Sequence, residues 1–153
     1  MSPLFGGHHR DTSDEQSAPP EKLPRLIDLG PALDDAVTSA AAMPLPTVAA
    51  KLMTELFAGA YTPGGGQVDS DVLASPLIPD HASAKYGDPT PPAVKILWDI
   101  AAEATQLLEH ARLIVPCTWY SGNVACSGYR STRAGRTALE QGTVERLTAA
   151  LVS

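Results

Sequence analysis

Apolar side chains recur every three or four residues in several stretches of the chain, the spacing that places them on one face of an α-helix. The pattern predicts helices over residues 29–43 and 46–60, both bounded by proline or glycine, and a longer one over residues 90–113, capped by Thr90. The longest has so wide an apolar surface, Trp98 included, that we expect it at the centre of the fold with contacts on two sides.

After the longest helix the hydrophobic period changes from 3.6 to 2, which is typical of β-strands. The alternation places six small or apolar residues on one face of two strands: Val115, Cys117, Trp119, Val124, Cys126 and Gly128. The turn residues Ser121-Gly122-Asn123 separate the strands. The sequence therefore predicts one β-hairpin, with this face toward the core, followed by a closing helix that Thr132 can cap.

Two hairpin registers are compatible with that face. A loop at residues 121–122 would place the two cysteines opposite each other, close enough for a disulfide, whereas a loop at residues 122–123 would separate them. Gly122 in the first loop position suits a type II′ turn. Only the second register places Pro116, which has no N–H, where no ladder hydrogen bond is donated. We therefore predict the second register and two free, largely buried thiols.

The remaining stretches have no such periodicity. Residues 1–24 are rich in proline, glycine, serine and charge, so we expect a disordered tail. Residues 61–90 are predicted to form a long loop with one short helical turn near Asp69. A chain of 153 residues is long enough for one ordinary domain. We expect residues 25–153 to form that domain, mainly α with one β-hairpin (α+β).

The charge is unevenly distributed along the chain. The net charge is -6, yet residues 110–153 contain five arginines and only two acidic residues. An acidic body with a basic C-terminal third would present opposite charges on two faces. Asymmetry of this size also arises by chance in a short segment, so the charge alone does not choose between a functional and an incidental basic region.

Several function classes lack support in the sequence. No catalytic motif is present, and His8-His9 has no third metal ligand within reach. His81, His110 and the two cysteines fit no standard zinc spacing. No apolar run is long enough for a transmembrane helix, and no secretory signal is evident. We expect a cytoplasmic, non-catalytic protein with reduced thiols and without membrane association, metal, cofactor or small-molecule substrate.

Two segments resemble a known family. Residues 107–114 read Leu-Leu-Glu-His-Ala-Arg-Leu-Ile, and after the hairpin residues 129–139 read Tyr-Arg-Ser-Thr-Arg-Ala-Gly-Arg-Thr-Ala-Leu. This is similar to the C-terminal half of the winged-helix domains of bacterial multiple-antibiotic-resistance-type regulators, over about residues 104–140. The chain departs from that pattern at Arg112, where the family usually has a C-cap glycine, and at Ser131, where it has leucine. The resemblance implies a winged-helix-like fold.

Most winged-helix domains bind DNA, so the resemblance also implies contacts to phosphates. The candidate residues are the arginines of the basic C-terminal third: Arg112, Arg130, Arg133 and Arg136. The polar positions of the predicted long helix oppose a role in the major groove, because they include three acids against two bases. A DNA-binding regulatory protein is therefore one hypothesis, with duplex DNA as its partner.

The alternative is a protein-docking or dimerisation module that does not bind DNA. Trp119 and Tyr120 stand near an uncharged hairpin tip, and aromatic residues are enriched at interface hot spots. Trp119 shares the predicted core face, so Tyr120 is the better contact residue for a protein partner or a second copy of the chain. Arginines paired with acidic side chains would favour docking, and a continuous positive surface would favour DNA.

Overall fold

Helices and a small antiparallel sheet build the part of the chain that the computed structural model describes, which comprises residues 25–58, 66–79, 82 and 87–152. The helices are α1 (Pro31–Ala42), α2 (Leu45–Phe57), α3 (Pro92–His110), α4 (Arg133–Gln141) and α5 (Val144–Val152). The strands are β1 (Gln67–Asp69), β2 (Ile114–Ser121) and β3 (Val124–Ser131). The predicted tail, residues 1–24, lies outside the described residues. The mainly helical α+β class is confirmed.

Prolines begin the first three helices. Each has proline in its first two positions, where the missing N–H leaves no helical hydrogen bond unmade. Thr90 does not cap α3, because the residue at the cap position is Pro91 and no side chain bonds the helix end. The predicted turn near Asp69 is confirmed as a 3-10 turn at Ser70–Val72. The Asp69 carboxylate caps this turn by accepting the Asp71 N–H (2.9 Å).

The sheet has the strand order β1-β3-β2, so the prediction of a lone hairpin was incomplete. In the hairpin Ser121 pairs with Val124, which makes Gly122-Asn123 the loop, and Gly122 has the positive φ of 64° that the turn requires. The predicted register is confirmed. Both cysteines are free, but they are half-buried rather than largely buried.

The hairpin face that meets the core is the opposite of the predicted one. Ile114 and its partner Ser131 are buried, and Tyr129 on the same face packs against the core beside Val68 of β1. Val115, on the predicted core face, is 37% exposed. The error has a physical cause: both faces have residues that pack at the base of the hairpin, including the buried Gly128 on the predicted face, and nearer the loop neither face is buried.

The core lies around α2 and α3. Leu52, Met53 and Leu56 of α2 are fully buried, and α2 packs against α3, α5 and β1. Helix α3 is central as predicted, with α1, α2, α5 and β2 as neighbours. Its apolar surface is nevertheless not all covered, since Ile96 is 46% and Trp98 47% exposed. Among the described residues, no helix combines the length and apolar character needed to cross a membrane.

Candidate functional site

The end of α3 and the start of α4 are joined by hydrogen bonds from one residue, Thr132. Its hydroxyl oxygen accepts the Gly135 N–H (3.0 Å), which makes Thr132 the N-cap predicted from the sequence. The same hydroxyl donates to the Arg112 carbonyl (2.7 Å), and the Thr132 N–H donates to the Leu113 carbonyl (3.0 Å). These bonds fix the first turn of α4 against the chain that leaves α3.

Gly135 makes this close approach possible. A Cβ atom on Gly135 would lie 2.0 Å from the Leu113 carbonyl oxygen and 2.9 Å from the Met53 Cε atom. Glycine is therefore required at this position by packing rather than by backbone conformation. The close approach holds the first turn of α4 against the residues that follow α3, while Arg130, Arg133 and Arg136 lie near one another because α4 begins two residues after β3 ends.

Three of the predicted arginines line one cavity at the base of the hairpin. The cavity has a volume of about 640 Å³, and its lining residues are Phe57, Gly66, Val115, Arg130, Ser131, Thr132, Arg133 and Arg136. We call Arg130, Arg133 and Arg136 the arginine cluster. All three are exposed residues, and Arg136 Nη1 donates to the Ser131 carbonyl (3.3 Å), which holds its guanidinium toward β3.

The positive charge of the arginine cluster is not neutralised by the described part of the protein. Ion pairs among those residues join Arg25 to Asp88 and Lys51 to Glu55, and neither involves the cluster. The first turn of α4 contains no acidic residue, although a helix N-terminus carries partial positive charge and ordinarily favours one. Three guanidinium groups and a helix start thus share one concave surface, an arrangement that an anion would stabilise.

Arg112, the fourth predicted arginine, does not line the cavity. It follows α3 with a φ of 61°, the left-handed conformation that the family's glycine would adopt at little cost. Its carbonyl accepts the bond from Thr132, so its backbone adjoins the cavity while its side chain is exposed. The structure therefore brings together three of the four arginines.

The exposed surface of α3 has a different character from the cavity. Asp99 and Glu103 are exposed there, together with Lys95 and the apolar Ile96 and Trp98. Acidic side chains on this surface would repel a phosphate backbone, so α3 is poorly suited to entering a DNA groove. The exposure of Asp99 and Glu103 agrees with the excess of acidic over basic residues that the sequence shows along this helix.

Tyr120, the predicted protein-contact residue, lies next to the hairpin loop and is 76% exposed. Trp119 lies on the other face and is half-buried, so its predicted place in the core is wrong. The hairpin tip itself, Ser121 to Asn123, is exposed and uncharged.

Two polar features of the structure were missed by the sequence analysis. The Thr105 hydroxyl in α3 is buried and has no hydrogen-bond partner among the described residues. A threonine within the apolar stripe of a predicted helix is the sequence signal that could have indicated this burial. Burial, and then the neighbouring Glu109 carboxylate, raise the pKa of Tyr129 above its ordinary value of 10.0. The raised pKa of Tyr129 depends on its burial and on the proximity of Glu109 in α3, so no local sequence pattern predicts it.

Metal binding finds no support in the part of the chain that is described, where no three His, Cys, Asp or Glu side chains are grouped to hold an ion. His8, His9 and His81, considered in the sequence, lie outside that part. Comparisons of the chain with protein-family models, with curated proteins and with solved structures gave no match.

Proposed function

We propose that the chain is a non-catalytic, winged-helix-like module that binds the phosphate backbone of duplex DNA through the arginine cluster, in a regulatory role. The observation that carries the proposal is the cavity at the hairpin base, where Arg130, Arg133 and Arg136 converge and form no ion pair with an acidic side chain of the described residues. The order of elements supports it: a long helix leads directly into an antiparallel hairpin, whose second strand also pairs with a short earlier strand.

Guanidinium groups suit this task because each presents several N–H donors in a plane and can bond two phosphate oxygens at once. The start of α4 adds unsatisfied backbone N–H groups and partial positive charge. Such contacts position a protein on DNA without reading its bases. Since α3 exposes acids and the hairpin tip has no charge, the module contacts the backbone at the hairpin base and has little preference for sequence.

Fluorescence anisotropy with a labelled duplex of arbitrary sequence, at low salt, tests this proposal. Arg133→Gln and Arg136→Gln each remove one charge from the cavity and should weaken binding severalfold. Arg146→Gln is the matched control, because Arg146 is exposed on α5 and does not line the cavity. If all three variants bound as tightly as the wild type, or all three lost affinity to the same extent, the DNA contact would lie elsewhere and the proposal would be refuted.

Protein docking is the second candidate function, and the exposure of Tyr120 favours it. A tyrosine that is 76% exposed beside an uncharged loop offers an apolar ring with a polar tip, as interface anchors do. If this surface joins two copies of the chain, Tyr120→Ser should dissociate the dimer in sedimentation velocity and leave DNA binding unchanged. A monomeric wild-type chain would exclude the homodimer.

A further inference from the structure

A groove separates the middle of α3 from the hairpin, and it shares no lining residue with the arginine-lined cavity. Its larger part is a cavity of about 510 Å³, lined by Ser70, Leu73, Ala102, Thr105, Pro116, Cys117, Thr118, Ser127, Gly128 and Tyr129. An adjoining cavity of about 400 Å³ shares Ser70, Leu73 and Ala102 and continues to Trp98. We call the two together the helix–hairpin groove.

The edges of this groove are held in place by the sheet and by one side-chain bond. Ser70, at the start of a 3-10 turn, donates from its hydroxyl to the Ser127 carbonyl (2.6 Å) in β3. Gly128 is packed against β1 so closely that a Cβ atom there would lie 2.0 Å from the Val68 carbonyl oxygen. The groove is thus bounded by regular structure and a bonded turn rather than by free loop.

Thr105 supplies the observation that points to a ligand. Only 4% of this residue is exposed, and its hydroxyl oxygen has no hydrogen-bond partner among the described residues, whereas the helical Thr38 and Thr148 each donate to a carbonyl one turn earlier. A buried hydroxyl without a partner destabilises the folded state. Thr105 also lines the larger cavity, and a rotation of about 120° about its Cα–Cβ bond moves the hydroxyl to the position that the methyl group occupies. A molecule in the groove can therefore complete its hydrogen bonding.

The lining of the larger cavity defines the chemistry of that molecule. None of its lining residues is acidic or basic, and its walls include Leu73, Pro116 and Tyr129. Asp71, which is acidic, lines only the adjoining cavity. Its volume lies within the range of about 300–1,000 Å³ typical of small-molecule sites. We propose that the helix–hairpin groove binds a small uncharged molecule with an aromatic or apolar body and one polar group that bonds the Thr105 hydroxyl.

Phenol and toluene are suitable probes, because they have the same ring and differ only in a hydroxyl against a methyl group. Their binding to the full-length chain is measured by ligand-observed NMR, with tryptophan fluorescence, to which Trp98 in the groove contributes, as a second signal. We expect saturable millimolar binding of both, and tighter binding of phenol. Thr105→Val, which keeps the shape of the side chain, should weaken phenol about three- to tenfold and leave toluene unchanged.

A second variant shows whether the probes occupy this groove. Ala102 lines both cavities and is exposed on α3, so Ala102→Leu should narrow the groove and weaken the binding of both probes. Ala41→Leu is the matched control, since Ala41 is an exposed position of α1 outside the groove. Absence of saturable binding to the wild-type chain would overturn the proposal. So would equal phenol affinities of the wild-type chain and Thr105→Val, or probe affinities that Ala102→Leu leaves unchanged.

Discussion

Replacing Gly135 by alanine should destabilise the protein, although alanine is the better helix former. Gly135 is in the first turn of α4, where alanine would ordinarily gain about 1 kcal/mol over glycine. The new Cβ would meet the Leu113 carbonyl oxygen at 2.0 Å, whereas ordinary contact begins at 3.4 Å. The backbones at residues 113 and 135 must then separate by more than an ångström. The substitution therefore loses packing energy while it gains helix propensity.

The magnitude follows from what that separation disrupts. Overpacking a close contact costs about 1–3 kcal/mol. The Leu113 carbonyl also accepts the Thr132 N–H, and loss of that hydrogen bond costs about 1 kcal/mol more. After the gain in helix propensity, we expect a net loss of about 1–3 kcal/mol. For a domain of this size that corresponds to a fall in Tm of about 2–12 °C.

Urea denaturation followed by circular dichroism at 222 nm measures this free energy. Ala134→Gly is the control, because Ala134 is exposed in the same turn and its replacement should lose only about 0.5–1 kcal/mol of helix propensity. Both exchanges should therefore destabilise, and Gly135→Ala by more. A Gly135→Ala protein as stable as the wild type would refute the packing of α4 against Leu113.

Three further predictions concern single side chains. Arg112→Gly should stabilise the protein by about 1 kcal/mol, because Arg112 has a φ of 61°; an unchanged urea midpoint would count against this strain. Thr105→Val should raise the free energy of unfolding by about 1 kcal/mol by removing an unpartnered buried hydroxyl; a lower Tm would contradict it. The raised pKa of Tyr129 stabilises the fold fully below pH 10.0, and this contribution is lost as pH rises through the folded pKa. Tyr129→Phe should therefore lessen the alkaline fall in stability and remove a late step from the absorbance titration at 295 nm; an unchanged titration would refute the shift.

Local signals in the sequence were enough to predict much of the secondary structure. Prolines and apolar periodicity placed α1, α2 and α3 to within a few residues of their ends. The hairpin register was predictable because Gly122 favours one loop and Pro116 restricts the ladder. Thr132 was predictable as a cap because its hydroxyl serves the helix that directly follows it.

Features that depend on distant contacts were not predictable in this way. The strand β1 has three residues, and only its pairing with β3 makes it a strand. The core face of the hairpin depends on where the helices end beneath it, so Ile114 rather than Val115 is buried. The arginines could be named from the sequence, but the cavity that they line also includes Phe57 and Val115 from distant elements, so it is a property of the packed structure. The unpartnered hydroxyl of Thr105 is likewise a property of the packed structure.

The salt dependence of duplex binding by the wild-type chain tests the central claim most directly. Each phosphate that an arginine neutralises contributes about -0.9 to the slope of log affinity against log salt concentration. Binding by the three arginines of the cluster predicts a slope of about -2.7, and participation of Arg112 predicts about -3.6. A slope near zero, or no binding to duplex DNA at low salt, would contradict the account.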